Sequence, residues 1–325
     1  MIVLKKKIGF ALLILITILL VLWGRENYTW KSRSMFAMDT YCTIKTKGGG
    51  KVIDKMEGCI EKYDKKMNAY SADSAVYALN ESEESEDKEI VSLSKQLYTY
   101  YKKTGGAFDF TLKKLSDAWG FETEHPHVPE KIVFSDFGAD RISFTDSKVR
   151  LNGVETDFGA VTKGYVTDRL VDIMNESGVK DAVLDLGGNV YSKGTHKIGI
   201  KEPSDTESAL ACAVTVCDRA VVTSGVYQRY FIDDSGKRRH HILDPKTGYP
   251  AENDILSVTV IGDSGTVCDV LSTAFLVMGK EKTFEMYQSF GAVEVIVLTS
   301  DTLYCTKGIA GNVSDVNGKY KQVVM

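Results

Sequence analysis

The chain has 325 residues, 43% of them hydrophobic and 26% charged, a globular composition with room for one large domain or two ordinary ones. A formal net charge of -4 and a pI near 5.8 leave no basic face for a phosphate backbone and exclude nucleic acid as an expected partner. No internal repeat or long low-complexity tract is visible.

The first element stands apart. Lys5, Lys6 and Lys7 precede an unbroken apolar run over residues 8–23. As a helix that run would be about 24 Å long, slightly short of a bilayer core of about 30 Å, which suits a signal-peptide core or a short anchor. Arg25, Glu26, Asn27, Tyr28 and Trp30 form no small-x-small cleavage site, and no Cys follows closely enough for a lipoprotein. The favoured reading is an uncleaved transmembrane helix with the lysines inside, over a terminal core helix without a polar face. Residues 1–27 are thus expected to be a membrane anchor or signal segment and residues 28–325 a catalytic domain outside the cytoplasm, single-pass in the plasma membrane.

Export would place Cys42, Cys59, Cys212, Cys217, Cys268 and Cys305 in an oxidising compartment, yet they form no CxxC pair and no disulfide scaffold. Most read as small apolar fillers; a Cys212–Cys217 bridge is conceivable, and the five histidines give no zinc-finger spacing.

After a short exposed connector, residues 51–67 place Val52, Ile53, Met56, Ile60, Tyr63 and Met67 on one helical face. The acidic run 81–89 reads as a solvated loop or helix start. A helix is expected over 91–103, ended by Gly105-Gly106, and another over 162–177 with Gly178 beyond it. Strands follow at 182–186, 197–200, 211–216, 221–223, 228–232 and 256–261, with a turn at Asp233-Asp234-Ser235-Gly236. A helix over 266–278 and a hairpin over 293–305, turning at Ser300-Asp301, complete a mixed α+β chain.

Several stretches carry possible chemistry. His240-His241-Ile-Leu-Asp244-Pro245-Lys-Thr247-Gly248-Tyr249-Pro250 is stiffened by two prolines and a glycine, so its side chains leave in set directions. The alternative is a plain hairpin exit with two histidines facing opposite ways. Asp269 and Thr273 share one helix face and are hard oxygen donors of the kind Mg²⁺ takes; alternatively they are a helix-start carboxylate and a Thr bonding its own backbone. The run Asp157 through Gly164 is a small-residue turn into a helix, with Lys163 beside it, and suits a phosphate as well as it suits a tight βα turn. Asp185-Leu-Gly187-Gly188-Asn189 and Thr223-Ser-Gly225 end strands in Gly-rich turns. In Thr104-Gly-Gly-Ala-Phe-Asp109, Phe108 is either a cover for a planar ligand or core.

These stretches, together with Phe36-Ala-Met38-Asp-Thr40 and Tyr70-Ser-Ala-Asp-Ser74 before Asn80, occur in an order that resembles the FAD:protein FMN transferases, the ApbE-type flavin transferases. The resemblance covers the chain from Phe36 to about Gly279. It implies an α+β fold of mixed and antiparallel sheets packed with helices, a two-lobed, T-fold-like catalytic domain with FAD in the cleft. It also implies a divalent metal and transfer of FMN from FAD to a Thr or Ser hydroxyl of another protein, releasing AMP. By the same resemblance Met38, Ala69, Tyr70, Ala107, Phe108, Asp109, Asp157 and Lys163 contact the flavin nucleotide, and the Ala160 carbonyl joins Asp269 and Thr273 around Mg²⁺. Asp39 departs from the family, which often has Gly there; Phe158, Gly159 and Thr162 stand at positions that vary.

His241 is the first candidate for general base, since an imidazole titrates near neutrality; holding the substrate peptide or the nucleotide are its alternatives. His240, its neighbour on an extended segment, is expected to point away and be structural. Family acceptors carry a Ser/Thr-Gly-Ala-Thr/Ser type motif that this chain lacks, so the acceptor is expected to be a separate exported flavoprotein. The expected classes are FMN-binding domains of Rnf-type or sodium-pumping NADH:quinone reductase complexes, or extracellular electron-transfer flavoproteins. Two other readings compete: a metal-dependent FAD pyrophosphatase giving FMN and AMP, and a non-catalytic flavin-binding protein.

Overall fold

The computed structural model describes residues 14–17, 29–204 and 209–325. The expected anchor at 8–23 lies for the most part outside the described residues, and no helix among them is long and apolar enough to cross a membrane.

One large sheet organises the molecule. In spatial order its main path runs Lys31–Ala37, Thr40–Thr46, Ala182–Leu186, Asn189–Lys201, Leu210–Gly225, Ser257–Gly262, Glu294–Leu298, Thr302–Cys305 and Lys321–Val324. Every pairing along that path is antiparallel except the last, Thr302–Cys305 with Lys321–Val324. Val258 and Val260 are fully buried and belong to the main core, whereas Ile296 and Leu298 belong to a second core on the other side of the sheet, as the period of two along a strand requires. The main core packs the helices Gly50–Met67, Gly159–Glu176 and Gly265–Met278 against one sheet face. The second places Ile309 and Tyr320, from the C-terminal segment, against Val214, Val216 and Leu303. A third, aromatic cluster of Trp119, Phe121, Phe137, Leu115 and Leu243 lies under the loop that follows His240.

The mixed α+β expectation agrees with this architecture, and several details are corrected. Residues 31–46 are a hairpin, where an exposed connector was expected: Ala37 pairs with Thr40, and Met38 and Asp39 turn with φ of 52° and 57°. That two-residue turn needs φ > 0 at both positions, so Gly would suit position 39 and Asp is among the few other residues that tolerate it. The acidic run contains a helix end, Ala75–Ser82, and the cap of the next helix. Asp87 accepts the amides of Glu89 (3.0 Å) and Ile90 (3.1 Å), starting Lys88–Lys103 earlier than its apolar periodicity showed. Strands expected at 211–216 and 221–223 are one strand, Leu210–Gly225, bent where Asp218 adopts φ 51°. Cys212 and Cys217 cannot bridge. They lie on that same strand an odd number of residues apart, one buried and one exposed, and every cysteine is a free thiol.

Candidate active site

Two helices cross where neither has a side chain. A Cβ added to Gly164 would meet the Gly265 carbonyl oxygen at 2.4 Å, and one added to Gly265 would meet the Gly164 carbonyl oxygen at 2.6 Å. Asp168 locks the crossing by accepting from Ser264 Oγ (2.8 Å), the Gly265 amide (2.6 Å) and the Thr266 amide (3.0 Å) at the start of Gly265–Met278. A carboxylate at a helix N-terminus satisfies free amides and complements the dipole. One turn further on, Asp269 is drawn against the first helix, where its Oδ2 accepts the Gly164 amide at 2.8 Å.

Asp269 is 5% exposed, and its other oxygen accepts from Asn189 Nδ2 at 3.3 Å. Burial pushes its pKa up, opposed by the charge of Lys163 and by these hydrogen bonds. Beside it, Asn189 Oδ1 is buried with no hydrogen-bond partner. Ser224 Oγ bonds Ser272 Oγ at 2.8 Å and lies 3.3 Å from Thr273 Oγ1. Ala160 is exposed in the first turn of Gly159–Glu176, and Gly164, the residue whose amide faces its carbonyl in a regular α-turn, directs that amide to Asp269. Hard oxygens thus gather at one place, with a buried carboxylate and an orphaned carbonyl oxygen that a small divalent cation would satisfy. No cluster of three or more His, Cys, Asp or Glu occurs among the described residues, so this donor set is distinguished by its carbonyl and hydroxyl members.

The nucleotide candidates sit on several elements. Asp157 follows Thr156, which Asn80 clamps through the Thr156 amide (2.8 Å) and carbonyl (2.9 Å). Its Oδ1 accepts the Gly159 amide at 2.8 Å, and burial raises its pKa. Lys163 makes no ion pair or hydrogen bond through its ammonium among the described residues, and its charge acts on both Asp269 and His241. Met38 donates its amide to Asp64 at 2.8 Å. Ala69 is buried, whereas Tyr70 is exposed, donates to Asp117 at 2.8 Å and lies under Lys113. Ala107 lines a cavity of about 210 Å³ with Thr104, Asp244, Lys246 and Met278.

Two candidates are used internally. Phe108 is 1% exposed and its ring is core, which removes it as a cover for a planar ligand. Asp109 is buried and holds its own loop: one oxygen accepts from the Thr111 amide and hydroxyl at 2.8 and 2.6 Å, and the other accepts the Ala139 amide at 3.4 Å.

The loop after His240 is as rigid as its composition demands. The Asp244 carbonyl accepts the amides of Thr247 (3.1 Å) and Gly248 (2.8 Å), Gly248 has φ 72°, and Trp119 Nε1 donates to the Gly248 carbonyl at 2.9 Å. His240 is buried, with its Nε2 3.0 Å from the Ala251 carbonyl oxygen. His241 is recessed but not closed off; its Nδ1 lies 3.1 Å from the Arg229 carbonyl oxygen and can only donate there. That fixes the tautomer and leaves a lone pair on Nε2. Burial pulls the His241 pKa down to about 4, so the ring is neutral at physiological pH.

Asn189, Asp168, Ser224 and Ser272 complete the site. Asn189 and Ser224 stand in motifs already singled out and Asp168 lies one turn beyond the run Asp157 through Gly164, but their partners are on the Gly265–Met278 helix and its cap, far along the chain.

The scaffold is a mixed α+β fold whose polar groups converge at one helix crossing, and its named relatives make it an enzyme of the transferase class. The profile of the ApbE family matches residues 38–297, and the chain belongs to that family. Over 336 aligned positions it is 27% identical to a protein of Treponema pallidum named FAD:protein FMN transferase, covering 91% of this chain and 92% of the relative. An Escherichia coli K12 protein of the same name is 28% identical, with 80% of each chain covered. Among solved structures, the ApbE protein of Thermotoga maritima superposes with a TM-score of 0.75 at 29% identity, over 83% of this chain and 94% of that one. Flavin transferase ApbE of Vibrio cholerae, at 22% identity, shows the same fold with a TM-score of 0.75, over 87% of this chain and all (100%) of that one.

Proposed function

We propose that this protein transfers the FMN part of FAD to a Thr or Ser hydroxyl of a separate acceptor protein, with Mg²⁺, releasing AMP. The observation that carries the reading is the buried Asp269 carboxylate beside the orphaned Asn189 carbonyl, at the crossing that also presents Ala160, Thr273 and Lys163. The names of the relatives supply the substrate class. In this reading Asp269, Thr273 and the Ala160 carbonyl hold the ion. A bound Mg²⁺ would supply charge neutralisation on the pyrophosphate as the leaving AMP gains charge.

The protein's own groups do the rest. Lys163, beside the first turn of Gly159–Glu176, holds the phosphates, and Met38, Ala69, Tyr70, Ala107, Asp157 and the backbone at Phe108 and Asp109 line the path of the flavin nucleotide. The acceptor oxygen attacks the FMN phosphorus, a new P–O bond forms, the P–O bond to AMP breaks, and the hydroxyl proton passes to His241 Nε2. A neutral imidazole with its other nitrogen tied to a carbonyl is competent for that role. The chain contains no Ser/Thr-Gly-Ala-Thr/Ser stretch, which supports an acceptor on another polypeptide.

Incubation with FAD, Mg²⁺ and an acceptor flavoprotein domain tests the reading. Covalently fluorescent acceptor with one AMP per flavin is expected; free FMN with AMP would make the enzyme a pyrophosphatase, and intact bound FAD a carrier. Asp269→Ala should abolish metal-dependent turnover, and undiminished transfer by the folded variant would remove the metal assignment.

The same proposal places the domain outside the cytoplasm, held in the plasma membrane by residues 8–23. Lys5, Lys6 and Lys7 before the run, and the lack of a small-x-small site behind it, support this orientation. Resistance of the full chain to alkaline extraction from membranes is expected, and release into the wash would overturn the anchor.

A further inference from the structure

The large sheet has two unlike ends. Strand pairing puts Ala37, Thr40, Leu186 and Asn189 at the end that carries the site, and Lys31, Thr46, Ala182 and Lys193 at the other. Around that far end, against the expectation of no basic face, stand Lys31, Lys47, Lys51, Lys180, Lys193 and Arg219, opposed by Asp181, Asp218 and Asp263, in a chain whose net charge is -4. Lys51 and Lys180 are exposed and make no ion pair among the described residues. An aromatic residue sits among them. Trp30 is 42% exposed, meets the His196 ring edge-on at 5.8 Å, and lies under the Lys47 ammonium at 4.9 Å.

The position of this patch along the chain is informative. Trp30 follows the apolar run 8–23 after only residues 24–29, a stretch that spans at most about 20 Å. Indole rings favour the headgroup layer, and lysines are drawn to anionic lipid. We infer that the end of the sheet formed by Trp30, Lys47, Lys51 and Lys180 seats on the anionic headgroups of a phospholipid bilayer. The cleft, at the other end of the same strands, is then held about 20 Å farther out, the rise of a strand of the length of Lys31–Ala37. The direction of approach rests on the proposed anchor; the charge and aromatic pattern do not.

The full chain carrying Trp23→Phe, which leaves Trp30 and the buried Trp119 as its indoles, is mixed with vesicles bearing a headgroup-level quencher. Phosphatidylcholine alone is compared with a phosphatidylcholine–phosphatidylglycerol mixture. Quenching of Trp30 is expected in the mixture, reduced several-fold in neutral vesicles and by high salt. In the double variant Lys51→Glu/Lys180→Glu, quenching of Trp30 in the mixture should fall several-fold, toward its level in neutral vesicles, with transfer to a soluble acceptor unchanged. Equal quenching in neutral and anionic vesicles, no quenching in either, or indifference to the lysine reversals would overturn the inference. Flotation with neutral vesicles at high salt examines the anchor alone: a chain that stays behind loses the anchor, and the charge-dependent quenching still decides the headgroup contact.

Discussion

His241 shows how one hydrogen bond sets what a side chain can do. The Arg229 carbonyl takes the Nδ1 proton, and burial keeps the ring neutral down to about pH 4. His241→Ala should lower the rate of transfer by about 10²–10⁴-fold if Nε2 receives the acceptor proton, with FAD binding retained; single-turnover assays separate the two, and a near-normal rate would strip the residue of that role. The same shift has a stability consequence. The folded pKa lies below the ordinary 6.5, so between pH 6.5 and about 4 the unfolded chain binds a proton that the folded chain does not. His241 therefore makes stability fall as pH drops through that window and contributes no such slope above it. Melting temperatures at several pH values should show a shallower acid slope for His241→Gln than for the parent. At this scale the sequence singled out Asp157, Asp269 and His241 by residue type and setting, and burial displaces the pKa of each. Phe108 takes the core half of its two readings, whereas the hold of Asp109 on Thr111 and Ala139 was not legible, because burial is decided by elements that are not neighbours in the chain.

The crossing of Gly159–Glu176 with Gly265–Met278 is the element on which the site depends. Gly164→Ala would drive a methyl toward the Gly265 carbonyl and toward Asp269 Cβ, at 2.4 and 2.7 Å, so the helices must part. A loss of about 1–3 kcal/mol is expected from such overpacking, together with a larger loss of metal affinity because the Asp269 to Gly164 hydrogen bond is strained. Chemical denaturation and metal titration would measure both, and a variant as stable and as tight-binding as the parent would show that the contact is not required. Helices with a strong apolar face, such as Gly50–Met67, were readable from periodicity alone. The helix Lys113–Trp119 and the opening hairpin were not: the first is short and lacks a side-chain cap, and the second is an edge whose Ser32, Arg33, Ser34 and Phe36 are all exposed. Likewise the polar Cys217-Asp218-Arg219 stretch hid the continuity of Leu210–Gly225, where Asp218 accepts the Gly194 amide at 2.9 Å across a register shift.

For the whole molecule, ligand and fold are linked. An ion that binds Asp269 only in the folded chain should raise stability by about 2.7 kcal/mol at a hundredfold excess over its Kd. Thermal melts with and without Mg²⁺ should show that rise in the parent and not in Asp269→Asn; an equal rise in both would place the ion elsewhere. The α+β class was legible from alternating helical and strand patterns, but the strand order was not, since pairings such as Thr40–Thr46 with Ala182–Leu186 join distant segments. That distance governs when the enzyme comes into being. Asp269 finds the Gly164 amide 105 residues behind it and the Asn189 amide 80 residues behind it. A growing chain that stops short of the Gly265–Met278 helix has the lysine and the glycine-rich turns in hand but no carboxylate to bring them together. With Asp269 in its proposed role, catalytic competence is expected to arrive late in synthesis and abruptly, and fragments truncated before that helix should be inert however well their earlier strands have paired.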